Sequence, residues 1–196
     1  MSPKQYYMAC LDLHGRPVLV VGGGTVALEK VRGLLECGAR VTVVAPEALP
    51  ELLELPVEWL PRAYHATDLR GRFLVVAATS STPLNRRVYA DAEARHLLCN
   101  VVDVLELCSV ILPAVHREGP IAVAVSTGGA SPALAQRIRD DVAAIVGPRH
   151  AEVAEELRAR RPWAKENLPT YEARRDYFQR LVEEALSERG STELTR

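Results

Sequence analysis

Apolar residues in this chain come in short continuous runs, each ending in glycine, proline or a polar turn, with stretches of helical spacing between them. The first run, Pro17-Val18-Leu19-Val20-Val21, is apolar at every position, as a strand covered on both faces must be. It empties into Gly22-Gly23-Gly24, and Glu29 to Leu35 continue with helical spacing. Cys37-Gly38-Ala39 reads as a glycine helix stop, and Arg40 to Val44, closed by Pro46, as a β-branched strand. Together they form a β-α-β unit of about thirty residues. Val57-Glu58-Trp59-Leu60 predicts a short strand, Arg72 to Thr79 a buried one, and His96 to Val102 another. Between the last two, Thr82 to Ala94 predicts a helix with Thr82 as N-cap and Pro83 at its first position.

Near Pro113 the pattern changes. Pro120 to Val125 reads as a strand preceded by a turn, Arg117-Glu118-Gly119, rather than by a long helix. Ser126 to Pro132 then leads into a helix, Ala133 to Val146, with Leu134, Ile138, Val142 and Ile145 forming an apolar face and Gly147-Pro148 stopping it. From Arg149 onward the chain predicts two or three helices broken around Arg161-Pro162-Trp163 and Leu168-Pro169. The expected class is α/β: a Rossmann-like doubly wound parallel sheet over residues 1–113, a small α+β unit over 114–148, and a C-terminal helical segment over 149–196.

Composition narrows the function classes. The chain has 196 residues, 48% apolar, and 24 basic against 25 acidic side chains, so no broad field draws it to nucleic acid or an anionic membrane. Ten basic and ten acidic side chains from Arg149 onward predict solvated helix faces rather than a basic arm. Met1 to Leu13 carries polar residues throughout its length and no apolar run approaches a membrane span, which predicts a cytosolic protein. Cys10, Cys37, Cys99 and Cys108 lack metal-ligand spacing and read as buried thiols, and no metal site is expected.

The glycine turn has the form of a dinucleotide pyrophosphate site. Gly22 permits the turn, Gly24 admits the phosphates for want of a Cβ, Ala27 allows helix and strand to pack closely, and the N–H groups at Gly23, Thr25 and Val26 face the anion. A structural glycine turn is the alternative. About twenty residues on, Pro46 and Glu47 follow the second strand, where a carboxylate favours a free ribose 2′-hydroxyl and hence NAD; an exposed loop acid is the alternative. Thr79 ends a later strand on the same side, with Thr79-Ser80-Ser81 either lining a cleft or capping the next helix. Asp103 closes Asn100-Val101-Val102-Asp103 at the rim where open α/β sheets collect ligands, and is either a proton acceptor or a turn residue.

With these residues in view the chain resembles the precorrin-2 dehydrogenase/sirohydrochlorin ferrochelatase family, also met as the N-terminal module of siroheme synthase. The motifs carrying the resemblance are Leu11-Asp12-Leu13-His14-Gly15-Arg16, Val20 to Ala27, Ala45-Pro46-Glu47, Ala77-Ala78-Thr79, Leu84 to Val88, Asn100 to Asp103, Leu112-Pro113-Ala114, and Ser126 to Ala135. It implies NAD-dependent oxidation of precorrin-2 to sirohydrochlorin by a cytoplasmic homodimer whose 114–148 unit supplies much of the interface. It further implies cofactor contacts at Gly22 to Val26, Pro46, Glu47 and Thr79, and Asp103 as the functional aspartate. It leaves insertion of Fe²⁺ open. At 196 residues, the chain is expected to lack the methyltransferase domain of fused siroheme synthases.

Such a substrate carries eight carboxylates and needs donors. Candidates are His116 and Arg117, Arg137, and the Gly128-Gly129 turn with Ser131 before the following helix. Two other classes stay open: a chelatase with a vestigial nucleotide site, and a non-catalytic NAD-sensing dimer.

Overall fold

The computed structural model describes residues 5–187, so the start of the Met1–Leu13 stretch and the end of the 149–196 segment lie outside the described residues. The chain divides into two compact units, Met1–Leu112 and Pro113–Arg196.

In the first unit, β1 (Pro17–Val21), β2 (Arg40–Val44), β3 (Glu58–Leu60), β4 (Leu74–Ala77) and β5 (Leu98–Val101) form one sheet in the order β3-β2-β1-β4-β5. Every pairing in it is parallel. Its helices are α1 (Thr25–Glu36), the single turn α2 (Pro50–Leu53) and α3 (Thr82–Glu93). The continuous apolar runs have a direct physical cause: alternate residues of each strand enter different cores. Val18, Val20, Val43, Leu74 and Val76 pack with Ala27, Val31 and Leu34 of α1 on one face. Leu19, Val21, Val44, Val75 and Ala77 pack with Val88 and Ala92 of α3 on the other.

Local chemistry terminates the helices. Gly38, at φ +74°, lets α1 end as the N–H groups of Gly38 and Ala39 return to the carbonyls of Leu35 and Leu34 at 2.8 and 3.1 Å. At α3 the cap differs from expectation: Ser81, not Thr82, holds an extended backbone and accepts the Leu84 N–H at 3.4 Å. Thr82 and Pro83 are the first helical residues, because the proline ring suits the first turn without itself supplying a cap. The strands begin later than their apolar runs, since Arg72 belongs to a turn and His96 sits at φ +54° just ahead of β5.

In the second unit, β6 (Ala114–Glu118) and β7 (Ile121–Val125) form an antiparallel hairpin, followed by α4 (Pro132–Ala143), α5 (Pro148–Asn167) and α6 (Tyr171–Ser187). Arg117 and Glu118 are therefore strand residues, and the turn is Gly119-Pro120 between the paired Glu118 and Ile121. Arg117 is exposed on one face of the strand and Glu118 half-buried at its last position beside the turn, so neither charge prevents the pairing. Pro162 lies inside α5, which runs through it to Asn167. Val153 and Ala164, buried on either side of the proline, hold the helix down despite one missing N–H bond. α4 ends at Ala143 with Ala144 as its C-cap, short of the expected stop at Gly147-Pro148, and these two residues are instead the N-cap and first residue of α5.

No helix among the described residues is long and apolar enough to cross a membrane. Cys99 and Cys108 are buried, whereas Cys10 is exposed and Cys37 half-buried, because Cys10 precedes the first strand and packs into neither core. Burial pushes the Cys99 thiol up to about 12, so it stays protonated.

Leu19 is fully buried in β1 beneath α3. Leu19→Ala is expected to lower unfolding free energy by about 2–5 kcal/mol, read as a lower denaturant midpoint at unchanged slope.

Candidate active site

The chain runs outward from β1 to β3 and then returns to β4 on the other side of β1, so adjacent connections diverge at the carboxyl ends of β1 and β4. A cleft of about 300 Å³ opens there. Gly22 and Gly23 form one wall, Val44 to Glu47 a second, and Ala63, Tyr64, Thr79 and Leu84 the remainder.

The glycines differ in what they permit. Gly22, at φ +124°, passes so close to β4 that an added Cβ would lie 2.3 Å from the Ala78 carbonyl oxygen. At Gly23 the same atom would lie 2.2 Å from the Glu47 carbonyl oxygen. Gly24 faces open space and is the N-cap of α1, with no side chain capping that terminus and no acid in its first turn. The N–H groups of Thr25 and Val26 thus begin a helix whose positive end is left for an anion. A pyrophosphate fits that chemistry.

Pro46 and Glu47 are exposed at the cleft after β2, and the Leu49 N–H bonded to the Gly23 carbonyl at 2.9 Å draws their loop to the turn. Thr79 also lines the cleft, but its hydroxyl donates at 2.7 Å to Oδ1 of Asn85, a residue only 5% exposed, and accepts the Ser81 N–H at 3.1 Å. Asn85 Nδ2 in turn donates to the Thr79 carbonyl at 2.9 Å. What Thr79 presents to a ligand is chiefly backbone and methyl surface.

Another part of the wall escaped the sequence reading. Tyr64 is buried, and its hydroxyl donates to Asp91 of α3 at 3.1 Å; burial, reinforced by that carboxylate, raises its pKa and keeps the phenol protonated. The loop bearing it is clamped by Arg62, which donates to both oxygens of Asp68 at 2.9 and 2.7 Å, while the His65 N–H adds a third bond at 2.9 Å. The Arg62 guanidinium holds the Asp68 carboxyl below the usual carboxylate range. No periodic signal marks these residues; only Arg62 and Asp68, six apart in a loop, hint at a local clamp.

Asp103 is exposed just beyond β5, at φ +61°, a left-handed conformation uncommon outside glycine. The Val102 N–H donates to the Ala77 carbonyl at 3.0 Å, so the aspartate follows a segment still tied to β4, the strand that also presents Thr79. Two strand spacings separate β5 from β1, about 10 Å. Of the expected cofactor residues, Gly22, Gly23, Pro46, Glu47 and Thr79 line this cleft, Gly24, Thr25 and Val26 follow at the start of α1 outside its lining, and Asp103 stands on the same sheet edge.

The other candidates belong to the second unit. His116 donates from Nε2 to the Val146 carbonyl at 2.7 Å, a packing bond. Arg117 is exposed on β6. Gly128 and Gly129, at φ +61° and +85°, form the turn before α4, and Ser131 caps that helix by accepting the Leu134 N–H at 3.2 Å. Arg137, largely exposed, pairs with Asp141 at 3.0 Å. A shallow hollow of about 470 Å³ on α6 includes Arg174 and Arg175, but the first is engaged by the Leu168 carbonyl and the second by Asp176. No cluster of potential metal ligands occurs among the described residues.

A parallel sheet that reverses beside a glycine turn, with an uncapped helix terminus above it, defines a Rossmann-type dinucleotide-binding protein. The chain belongs to the family described as "Putative NAD(P)-binding", whose model matches residues 9–114, and the model "Sirohaem biosynthesis protein central" matches residues 118–145. Siroheme synthase of Ectopseudomonas mendocina is 42% identical over 178 residues, and that of Mannheimia succiniciproducens 40% over 181, each match covering 90% of this chain. The chain spans about 38% of the length of these relatives. Among solved structures, "SirC, precorrin-2 dehydrogenase" is similar at TM-score 0.77 and 28% identity, covering 93% of this chain and 94% of that one. Binding of a nicotinamide cofactor accords with the family and with the cleft.

Asp68→Asn removes a charge-assisted pair that is nearly buried on the acid side and 43% exposed on the Arg62 side. Because the native carboxyl titrates below its unfolded value, its contribution is present above about pH 4 and is lost as pH falls through the lowered native value. The variant is expected to be about 1–2 kcal/mol less stable at pH 7, with the difference shrinking on acidification, measured by urea unfolding across pH.

Proposed function

We propose that this chain catalyses the NAD-dependent oxidation of precorrin-2 to sirohydrochlorin, a step in siroheme synthesis, and acts as a homodimer. The observation that carries the reading is the alignment of the glycine-turn cleft and Asp103 along one carboxyl edge of the sheet. Similarity to SirC over nearly the full length of both chains supports the choice of substrate. The exposed apolar side chains Leu134 and Ile138 on α4, with Ile145 just past its end, support a second copy as partner.

Bound at the glycine turn, the nicotinamide dinucleotide supplies the hydride acceptor. The residues that hold it are Gly22 to Val26, with Glu47 accepting hydrogen bonds from the adenosine ribose, and Pro46 and Thr79 shaping the cleft. A carboxylate at Glu47 repels a 2′-phosphate, which favours NAD over NADP. Oxidation removes one hydride and one proton from the macrocycle, and Asp103 takes the proton. Arg117 and Arg137 meet substrate carboxylates, the latter exchanging Asp141 for a ligand oxygen, and His116 contributes at the substrate's edge. The turn N–H groups at Gly128 and Gly129, with Ser131 beside them, receive a further carboxylate. Where Fe²⁺ is a second substrate, Asp103 accepts the protons that the metal displaces from pyrrole nitrogens.

Anaerobic incubation with precorrin-2 and NAD, followed by visible spectra with and without Fe²⁺, is expected to give sirohydrochlorin together with stoichiometric NADH. Asp103→Asn is expected to slow that oxidation by at least a hundredfold, in the range typical of a lost acid/base group. No sirohydrochlorin from the native protein, or undiminished turnover by the variant, refutes the corresponding assignment. Glu47→Gln is expected to raise KM for NAD by about tenfold and to narrow the preference over NADP, measured by initial rates with each cofactor.

A further inference from the structure

β5 is an edge strand, so the N–H and C=O groups on its outer side have no neighbouring strand to bond. The residues after Asp103 supply the partners instead. The Cys99 N–H donates to Ser109 Oγ at 2.8 Å, and the Cys99 carbonyl accepts from the Ser109 N–H at 2.9 Å. Two residues on, the Val101 N–H donates to Cys108 Sγ at 3.3 Å, and the Cys108 thiol lies 3.2 Å from the Val101 carbonyl and 3.4 Å from that of Val104. Asn100, 7% exposed, donates from Nδ2 to the Val110 carbonyl at 3.0 Å and approaches Cys108 Sγ at 3.7 Å.

These bonds close a loop. Its two ends, Val101 and Cys108, are joined by one sulfur that both accepts from and donates to the same residue. Within it stands Asp103 at φ +61°, a conformation that an unconstrained aspartate leaves readily for the right-handed or extended regions. The Val104 N–H bonds the Val101 carbonyl at 3.3 Å, a long bond that forms a turn around the aspartate, and the Leu107 and Cys108 N–H groups bond the Val104 and Leu105 carbonyls at 3.0 and 3.2 Å in the helical turn that follows. Cys108 is 4% exposed, so no ligand reaches it; its sulfur acts on the loop and only through the loop on the cleft edge.

We propose that Cys108 is a positioning residue for Asp103: its thiol, seated between Val101 and Val104 with Asn100 behind it, holds the aspartate's carboxylate at the rim of the sheet. This rests on the reading of Asp103 as the proton acceptor. A sulfur is suited to the task because its larger radius spans 3.2–3.4 Å to two carbonyls at once while filling an apolar space. Serine keeps both the donor and the acceptor at shorter reach, whereas alanine keeps neither.

The test is steady-state oxidation of precorrin-2 with NAD by Cys108→Ala, Cys108→Ser, Asp103→Asn and the double variant Cys108→Ala/Asp103→Asn. Cys108→Ala is expected to lower kcat at least tenfold while KM for NAD stays within twofold, and Cys108→Ser to recover to within threefold of the native kcat. In the Asp103→Asn background, Cys108→Ala is expected to change the residual rate less than twofold, because the group it positions is already gone. Native kcat in Cys108→Ala, a rise in KM that accounts for the loss, or an equal loss in both backgrounds overturns the proposal. Native kcat in Asp103→Asn overturns the underlying reading, whatever Cys108 does. If the alanine variant does not fold, Cys108→Val, which fills the space without a donor, takes its place under the same criteria.

Discussion

Gly22 leaves β1 against the backbone of Ala78, so close that any side chain would enter the next strand's carbonyl oxygen. That approach joins the two strands at which the chain reverses direction across the sheet, and the cleft is what remains between their diverging connections. Much else is arranged around it. Gly23 presses on the loop after β2 and brings Glu47 to the same opening; Ala78 leads to Thr79, which Asn85 turns inward; and Ala77 bonds Val102, just ahead of Asp103. A methyl group at Gly22 would therefore disturb the nucleotide wall and the registry of β4 together.

The loops beyond the strand ends obey a second constraint. A parallel sheet of five strands leaves polar backbone groups unpaired at both margins and at the carboxyl edge, and side chains satisfy them. Near β3, Trp59 Nε1 bonds the Ala45 carbonyl at 3.1 Å, and Asp68 organises the turn that delivers Tyr64. Near β5, Cys108 and Ser109 take the place of a neighbouring strand, and Asn100 of β5 reaches across to the Val110 carbonyl. The same bonds that finish the sheet also shape the cleft and its rim, so stability and chemistry are not separable residue by residue here.

In the second unit the balance between apolar and polar surface is different. Among the described residues α4 and α5 pack on the hairpin β6-β7, and α4 keeps Ala135 inside while leaving Leu134 51% exposed, with Ile145, just past its end, 70% exposed. Of the apolar face expected from spacing, Leu134 and Ile138 are on α4 and turned outward, Val142 is half-buried, and Ile145 lies past the end of the helix. That arrangement contrasts with the first unit, whose helices bury their apolar stripes in the sheet.

Residues near one another in sequence determined a great deal. Continuous apolar runs located the strands of the parallel sheet because burial on both faces removes alternation, and the glycine turn, Glu47 and Asp103 were legible because each directly follows such a run. Nearest-neighbour chemistry misled where context overrode it: Arg117 and Glu118 in a strand, Pro162 within a helix, Ser81 rather than Thr82 at a cap. Only the tertiary structure decided the strand order, the seating of Tyr64 against Asp91 twenty-seven positions away, and the closure of the Asp103 loop by a cysteine that composition marked as mere core. The reason is that pattern reports which side of an element is buried. It carries nothing about which distant group will meet it there, since that is set by the packing of whole strands and helices.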